Sequence, residues 1–190
     1  ARALAWLRSE GYYGATVTPE ATENPVAARL VIALGPRFLF EPPEISYASD
    51  PPGAVAADAA RRAIGAVGAE EPARAASVLT AEANAVAALQ EAGYADAAAG
   101  ERRVVVDHAT SRVRTTFSID AGQPVRLGSV RAEPDTVFRP SFVARLQNWE
   151  DGERYSPEAI TRLRRDLTPT GAVSLATTRL APPGPDGTRD

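Results

Sequence analysis

Asp107-His108 is where this chain comes nearest to a catalytic pair, and His108 is its only histidine. A carboxylate beside an imidazole is the smallest unit of general acid–base catalysis, because the acid orients a ring that titrates near neutral pH. The surrounding spacing does not complete such a site. No serine or second acid can be placed nearby from spacing to finish a relay, and a single imidazole cannot make a metal site alone. Both residues fall where a strand pattern enters a turn, and Asp at that point bonds the turn amides. Gly35-Pro36 and Gly122-Gln123-Pro124 invite a phosphate-loop reading, but they lead into strands and not into helix N-termini. They read as hinges between modules, at Gly35, Pro36, Gly122 and Pro124. The chain has no cysteine, which removes thiolate catalysis, thiolate metal sites and disulfides and suits an oxidising compartment. The sequence therefore points to no catalytic residue, no metal and no cofactor.

Charge narrows the partners. All 21 basic residues are Arg, the net charge is −3, and the arginines are scattered, so the footprint of a nucleic-acid binder is missing. The pairs Arg61-Arg62, Arg102-Arg103 and Arg164-Arg165 read as solvated. No stretch approaches the roughly 18 apolar residues of a spanning helix. The chain lacks methionine and opens inside an amphipathic helix, Ala3 to Gly11, so it reads as an excerpt of a longer protein whose membrane attachment lies elsewhere.

The elements that position these residues recur about every 80 residues. Leu7-Arg8-Ser9-Glu10-Gly11-Tyr12 returns as Leu89-Gln90-Glu91-Ala92-Gly93-Tyr94, and more faintly at Leu167 to Gly171. Gly35-Pro36-Arg37-Phe38 returns as Gly122-Gln123-Pro124-Val125. In the middle unit, a strand run holding Phe38, Phe40, Ile45 and Tyr47 is broken by Pro42-Pro43. A helix follows over Ala54 to Val67, with Ala56, Ala60, Ala63, Ile64 and Val67 on one face. Thr80 is expected to cap the next helix, in which Leu79, Ala83, Val86 and Leu89 form the apolar stripe and Gly93 the left-handed end. A hairpin then pairs Arg102 to Asp107 with a strand alternating as Val113, Thr115, Phe117 and Ile119. The order is β-α-α-β-β, an α+β layer with both helices on one face of a small sheet.

The first unit keeps one helix and a hairpin, with strands at Ala15 to Val17 and Leu30 to Leu34. The third is expected to hold a strand over Val125 to Arg131, a helix bearing Phe142, Leu146 and Trp149, and a helix opened by Ser156-Pro157-Glu158. A strand over Val173 to Leu180 should follow, and Pro182 to Asp190 should be loosely placed for want of a pairing partner. Trp6, Trp149 and Phe142 are expected in the core.

The runs Glu10-Gly11-Tyr12-Tyr13, Val106-Asp107-His108-Ala109-Thr110, Ile119 to Gly128 and Trp149 to Ser156 together resemble polypeptide-transport-associated (POTRA) domains. These are the periplasmic modules that precede β-barrels of the BamA/TamA superfamily, and the resemblance leans toward its TamA-like members. It implies tandem modules with two helices on a three-stranded mixed sheet: the end of one domain at residues 1–36, a complete one at 37–121, and a third at 122–190 lacking its last strand. It also implies the periplasmic arm of an outer-membrane assembly factor, not an enzyme. The implied partners are a TamB-like inner-membrane-anchored protein, client outer-membrane proteins including autotransporters, and the parent chain's own C-terminal barrel. A BamA-type general insertase or a two-partner secretion pore is the alternative, and an unrelated scaffold or hydrolase a more distant one.

Within this frame, Arg102, Arg103, Val104, Val105 and Val106 are the expected outer strand, with free backbone groups for an incoming strand. On this reading Val105→Pro would remove a donor from that edge.

Overall fold

The computed structural model describes residues 2–23, 26–133, 138–167, 177–184 and 188–190. At the N-terminal end, helix α1 (Arg2–Ser9) is followed by an antiparallel hairpin, β1 (Thr16–Glu23) with β2 (Val26–Ala33). Leu7 is the residue of α1 that becomes buried, while Trp6, one position round the helix, stays exposed, contrary to its expected core role. Nothing among the described residues covers that side, and Leu30, Val31 and Ile32 of β2 are exposed as well.

The central unit begins with β3 (Leu39–Phe40) and β4 (Glu44–Tyr47), one strand path interrupted at Pro42-Pro43 as the proline pair demands. Helix α2 (Ala54–Ala63) runs into a 3-10 turn at Ile64–Ala66, and Tyr94 accepts the Gly53 N–H at its start. Helix α3 spans Ala75–Glu91. It starts five residues before the expected cap at Thr80, because the alanine-rich sequence from Ala75 propagates helix without a side-chain cap. The buried stripe also differs from the expected one. Val78, Ala81, Ala85 and Leu89 face the core, and Leu79 and Ala83 face outward.

Strands β5 (Ala98–Ala99), β6 (Arg103–Asp107) and β7 (Arg112–Asp120) complete the unit. β7 is the spine: β3 and β4 pair with it in parallel, β5 and β6 antiparallel. Because Val113, Thr116 and Ile119 have partners from both groups, β3 and β4 lie along one side of β7 and β5 and β6 along the other. Val113, Thr115, Phe117 and Ile119 point into the layer beneath α2 and α3, where Phe38, Phe40, Ile64, Val67 and Leu89 complete the core. Phe117 alone accounts for about 1.5–3 kcal/mol of burial.

In the third unit, β8 (Arg126–Leu127) precedes α4 (Pro140–Arg145) and α5 (Pro157–Leu167). The strand expected over Val125 to Arg131 is thus only two residues long. Ser156 Oγ accepts the Ala159 N–H at the start of α5, the cap its sequence announced. α4 ends before Trp149, whose indole N–H instead donates to the Gly128 carbonyl at 2.8 Å while Gln147 accepts the Val130 N–H. Val143, Leu163 and Leu167 form this unit's buried cluster, with Phe142 and Trp149 packed against it. Most of the strand expected over Val173 to Leu180 lies outside the described residues, and Thr177 to Leu180 are irregular. The looseness expected at the C-terminal end is corrected: β9 (Thr188–Arg189) pairs in parallel with β8, and Gly184 and Ala181 donate to Thr188 and Asp190. β8 supplies the pairing partner.

Candidate strand-addition edge

Carbonyl directions along β7 decide which backbone groups of its neighbours are spent. The carbonyls of Ser111, Val113 and Ile119 accept from Leu39, Glu41 and Ala48, so they point toward β3 and β4. That of Ser118 accepts from Gly100, on the opposite side. Since successive peptide groups of a strand alternate in direction, Arg112, Arg114 and Thr116 face β6. Their register partners are Asp107, Val105 and Arg103, which therefore spend their N–H and C=O groups on β7. Val104 and Val106, opposite Thr115 and Val113, turn both of theirs outward.

This refines the edge expected from sequence. Arg103 to Val106 lie in β6, but Arg102 lies before it, drawn instead into an ion pair with Glu82 of α3 at 2.9 Å. Val105 is corrected as the informative proline position, because its N–H belongs to the inner ladder. Val104 and Val105 are 41% and 42% exposed, and the pleat sends their side chains to opposite faces: Val104 with Val106 to the helix side, Val105 with Arg103 to the other.

The opposite flank of β7 is closed in part. The Phe40 N–H donates to the Glu71 carbonyl, and Glu70 and Ala73 donate back to Phe40 and Phe38, so residues 70–73 cover β3. Ion pairs Arg114–Glu41 and Arg112–Glu70 clamp β7 to that side.

Asp107 and His108 do not face one another as a catalytic pair. Asp107 Oδ1 accepts the Ala109 N–H at 2.8 Å and is reached by that of Thr110 at 3.4 Å. The Thr110 hydroxyl and then the Ala109 amide hold its carboxyl below the usual carboxylate range. The His108 ring meets Phe38 edge to face, with centroids 5.2 Å apart. Among the described residues, no three His, Asp or Glu gather into a metal-holding group, and no helix is long and apolar enough to cross a membrane.

The junctions repeat closely. Gly35 and Gly122 adopt φ of 67° and 66°, the left-handed region glycine favours. Three residues later the chain is tied back to the preceding unit: Phe38 N–H donates to Gly11 O at 2.9 Å, and Val125 N–H to Gly93 O at 2.8 Å. Tyr13 seals the first junction, its ring against Phe38 and its hydroxyl donating to Ala73 O. Pro36 and Pro124 lie within these tied segments. The outward groups of Val104 and Val106 and the ties at Gly11 and Gly93 carried no signal in the sequence beyond strand alternation and the Gly-Tyr repeat.

No family model matches the chain, and no curated protein sequence matches it. Solved structures do. POTRA domains 3–5 of BamA from Haemophilus influenzae superpose with a TM-score of 0.66 at 20% identity, covering 97% of this chain and 73% of that one. BamA from Haemophilus ducreyi lacking POTRA domains 1–3 superposes with a TM-score of 0.57 at 18% identity, covering 80% of this chain and 27% of that one. The chain has the fold of tandem POTRA domains, with helices packed on one face of a small mixed sheet.

Proposed function

We propose that this chain is the periplasmic POTRA arm of a TamA-like outer-membrane assembly factor, divided at residues 1–36, 37–121 and 122–190. In this reading it binds a TamB-like inner-membrane-anchored partner and client outer-membrane proteins, autotransporters among them, by accepting their strands at β6. It works beside the parent chain's own barrel. Its role is to hold and pass on polypeptide, and it performs no covalent chemistry. The observation that carries the reading is the outward pair of backbone donors and acceptors at Val104 and Val106 on a strand that pairs, among the described residues, only with β7. The pivots at Gly35, Pro36, Gly122 and Pro124 work against the backbone ties at Gly11 and Gly93, so swivelling between units requires breaking a hydrogen bond.

Magnitudes set the character of the binding. Four backbone groups contribute about 0.5–1.5 kcal/mol each, against an association cost of about 4–15 kcal/mol. Strand addition here is weak and transient, which suits a factor that hands clients onward. A BamA-type general insertase is the second reading, favoured by the likeness to BamA structures.

The test is crosslinking in cells. A Val104→Pro, Val106→Pro double variant removes the two outward donors while leaving the β7 ladder, and Val104→Thr keeps the strand intact. The proline variant is expected to lose crosslinks to both TamB-like partner and clients, with Val104→Thr retaining them. Undiminished crosslinks in a folded proline variant refute strand addition at β6. Client crosslinks without any to a TamB-like partner favour the general insertase.

A further inference from the structure

His108 and Tyr13, neither of them used at the edge itself, meet on one ring. Phe38 opens the central unit directly after the first joint and is buried. Tyr13 of the first unit lies edge to face with it, centroids 5.4 Å apart, and His108, from the turn between β6 and β7, does so at 5.2 Å. The same turn holds the next residue, since the Leu39 N–H donates to the Ser111 carbonyl at 3.1 Å. On its other side, the Phe38 N–H donates to the Gly11 carbonyl of the first unit. Phe38 is thus bound both to the unit before it and to the turn that closes the β6–β7 hairpin. The second joint repeats the backbone tie without the rings, for Val125 and Ala95 stand where Phe38 and Tyr13 stand in the first.

This turn begins where the open edge ends. Asp107 and Arg112 form the last register pair of β6 and β7, and Arg112 reaches across to Glu70, whose N–H donates to the Phe40 carbonyl. Val106 lies two residues before His108, and its side chain packs on the core cluster that contains Phe38. A strand bonded to the outward groups of Val106 therefore restrains the residues that set where His108 stands. Edge-to-face ring pairs favour one mutual arrangement over others, so restraint of the turn is passed to Phe38 and from there to Tyr13.

We propose that the β6–β7 turn is a latch on the first joint: a strand added at β6 holds His108 and Phe38 against Tyr13, which fixes the first unit on the central one. A fixed joint in turn strengthens strand addition, because coupling between two equilibria acts equally in both directions. This rests on the strand-addition reading and adds to it a control of the arm's shape, exerted at the first joint and not at the second.

The test uses the full 190-residue chain, which has no cysteine of its own. Spin labels at the exposed positions Thr18→Cys and Asn84→Cys span the first joint, and labels at Asn84→Cys and Ser141→Cys span the second. The probe is a synthetic peptide alternating valine and threonine with a lysine at each end, its binding located by the amide shifts of Val104 and Val106. The peptide is expected to narrow the distance distribution across the first joint and leave the second unchanged. His108 is exposed, so His108→Ala removes its ring with little disturbance of the core. That variant is expected to broaden the first-joint distribution, abolish the narrowing and weaken peptide binding about fivefold, whereas His108→Phe keeps all three as they were. Tyr13→Ala, checked for an unchanged melting transition, should behave as His108→Ala does. A peptide that moves the Val104 and Val106 amides without narrowing the first joint overturns the proposal, as does a His108→Ala variant with undiminished narrowing and affinity. If the peptide leaves those amides unmoved, strand addition itself fails and the latch falls with it.

Discussion

The two edges of the central sheet are made alike and finished differently. On one side β4 lies against β7 and, with the Ala48 N–H directed to Ile119, turns the backbone groups of Ile45 and Tyr47 outward. On the other side β6 turns out those of Val104 and Val106. By count of free groups the edges are equal. β4, however, is bracketed by Pro42-Pro43 and Pro51-Pro52, and its path is covered at β3 by residues 70–73. β6 stands in a stretch with no proline between Pro72 and Pro124. Proline and covering loops are the usual devices against edge-to-edge association, so one edge is blunted and the other left available. Sheet geometry leaves two edges with outward backbone groups, and local sequence finishes them differently.

The largest effect expected is on the spine that both edges share. Phe117→Ala, at a fully buried site, should cost about 3–5 kcal/mol in denaturant unfolding and loosen β4 and β6 together. A loss confined to one edge would break the symmetry of the account. Next comes the contrast within β6. Val105→Pro removes a ladder donor and leaves a β7 carbonyl unmet, a loss of about 1–3 kcal/mol. Val104→Pro should cost clearly less, because its N–H faces outward. Equal losses would mean that the alternation has been assigned the wrong way round.

The smallest stability effect expected is a gain. Thr115 is fully buried beside Val104 in the register, and its hydroxyl has no partner. Thr115→Val removes an unsatisfied polar group at nearly constant volume and should stabilise by about 1 kcal/mol. A destabilised variant would show that the hydroxyl is bonded in solution.

How much of this was legible beforehand divides along physical lines. The alternation of Val113, Thr115, Phe117 and Ile119 places β7 and its inner face, because period two is local and burial rewards it. The Gly-Tyr repeat gives the junctions, since a positive φ favours glycine at Gly11 and Gly93. Thr80 looks like a cap and marks the start of α3 too late, because alanine propensity carries the helix back to Ala75 without one. Spacing alone puts Trp149 on a helix, whereas its indole bond to Gly128 is a tertiary contact that no local pattern announces. The identity of the outward residues on β6 was out of reach for a similar reason. Alternation reports which face a side chain takes, whereas the direction of each peptide group depends on register with β7.

Residue-resolved amide hydrogen exchange, with and without a bound client strand, tests the central claim most directly. In the free chain, Val104 and Val106 should exchange quickly between slower neighbours at Arg103, Val105 and Asp107. On client binding, protection should rise at Val104 and Val106 and stay unchanged at Ile45 and Tyr47. Client binding that leaves Val104 and Val106 unprotected, or that protects Ile45 and Tyr47 instead, would contradict strand addition at this edge.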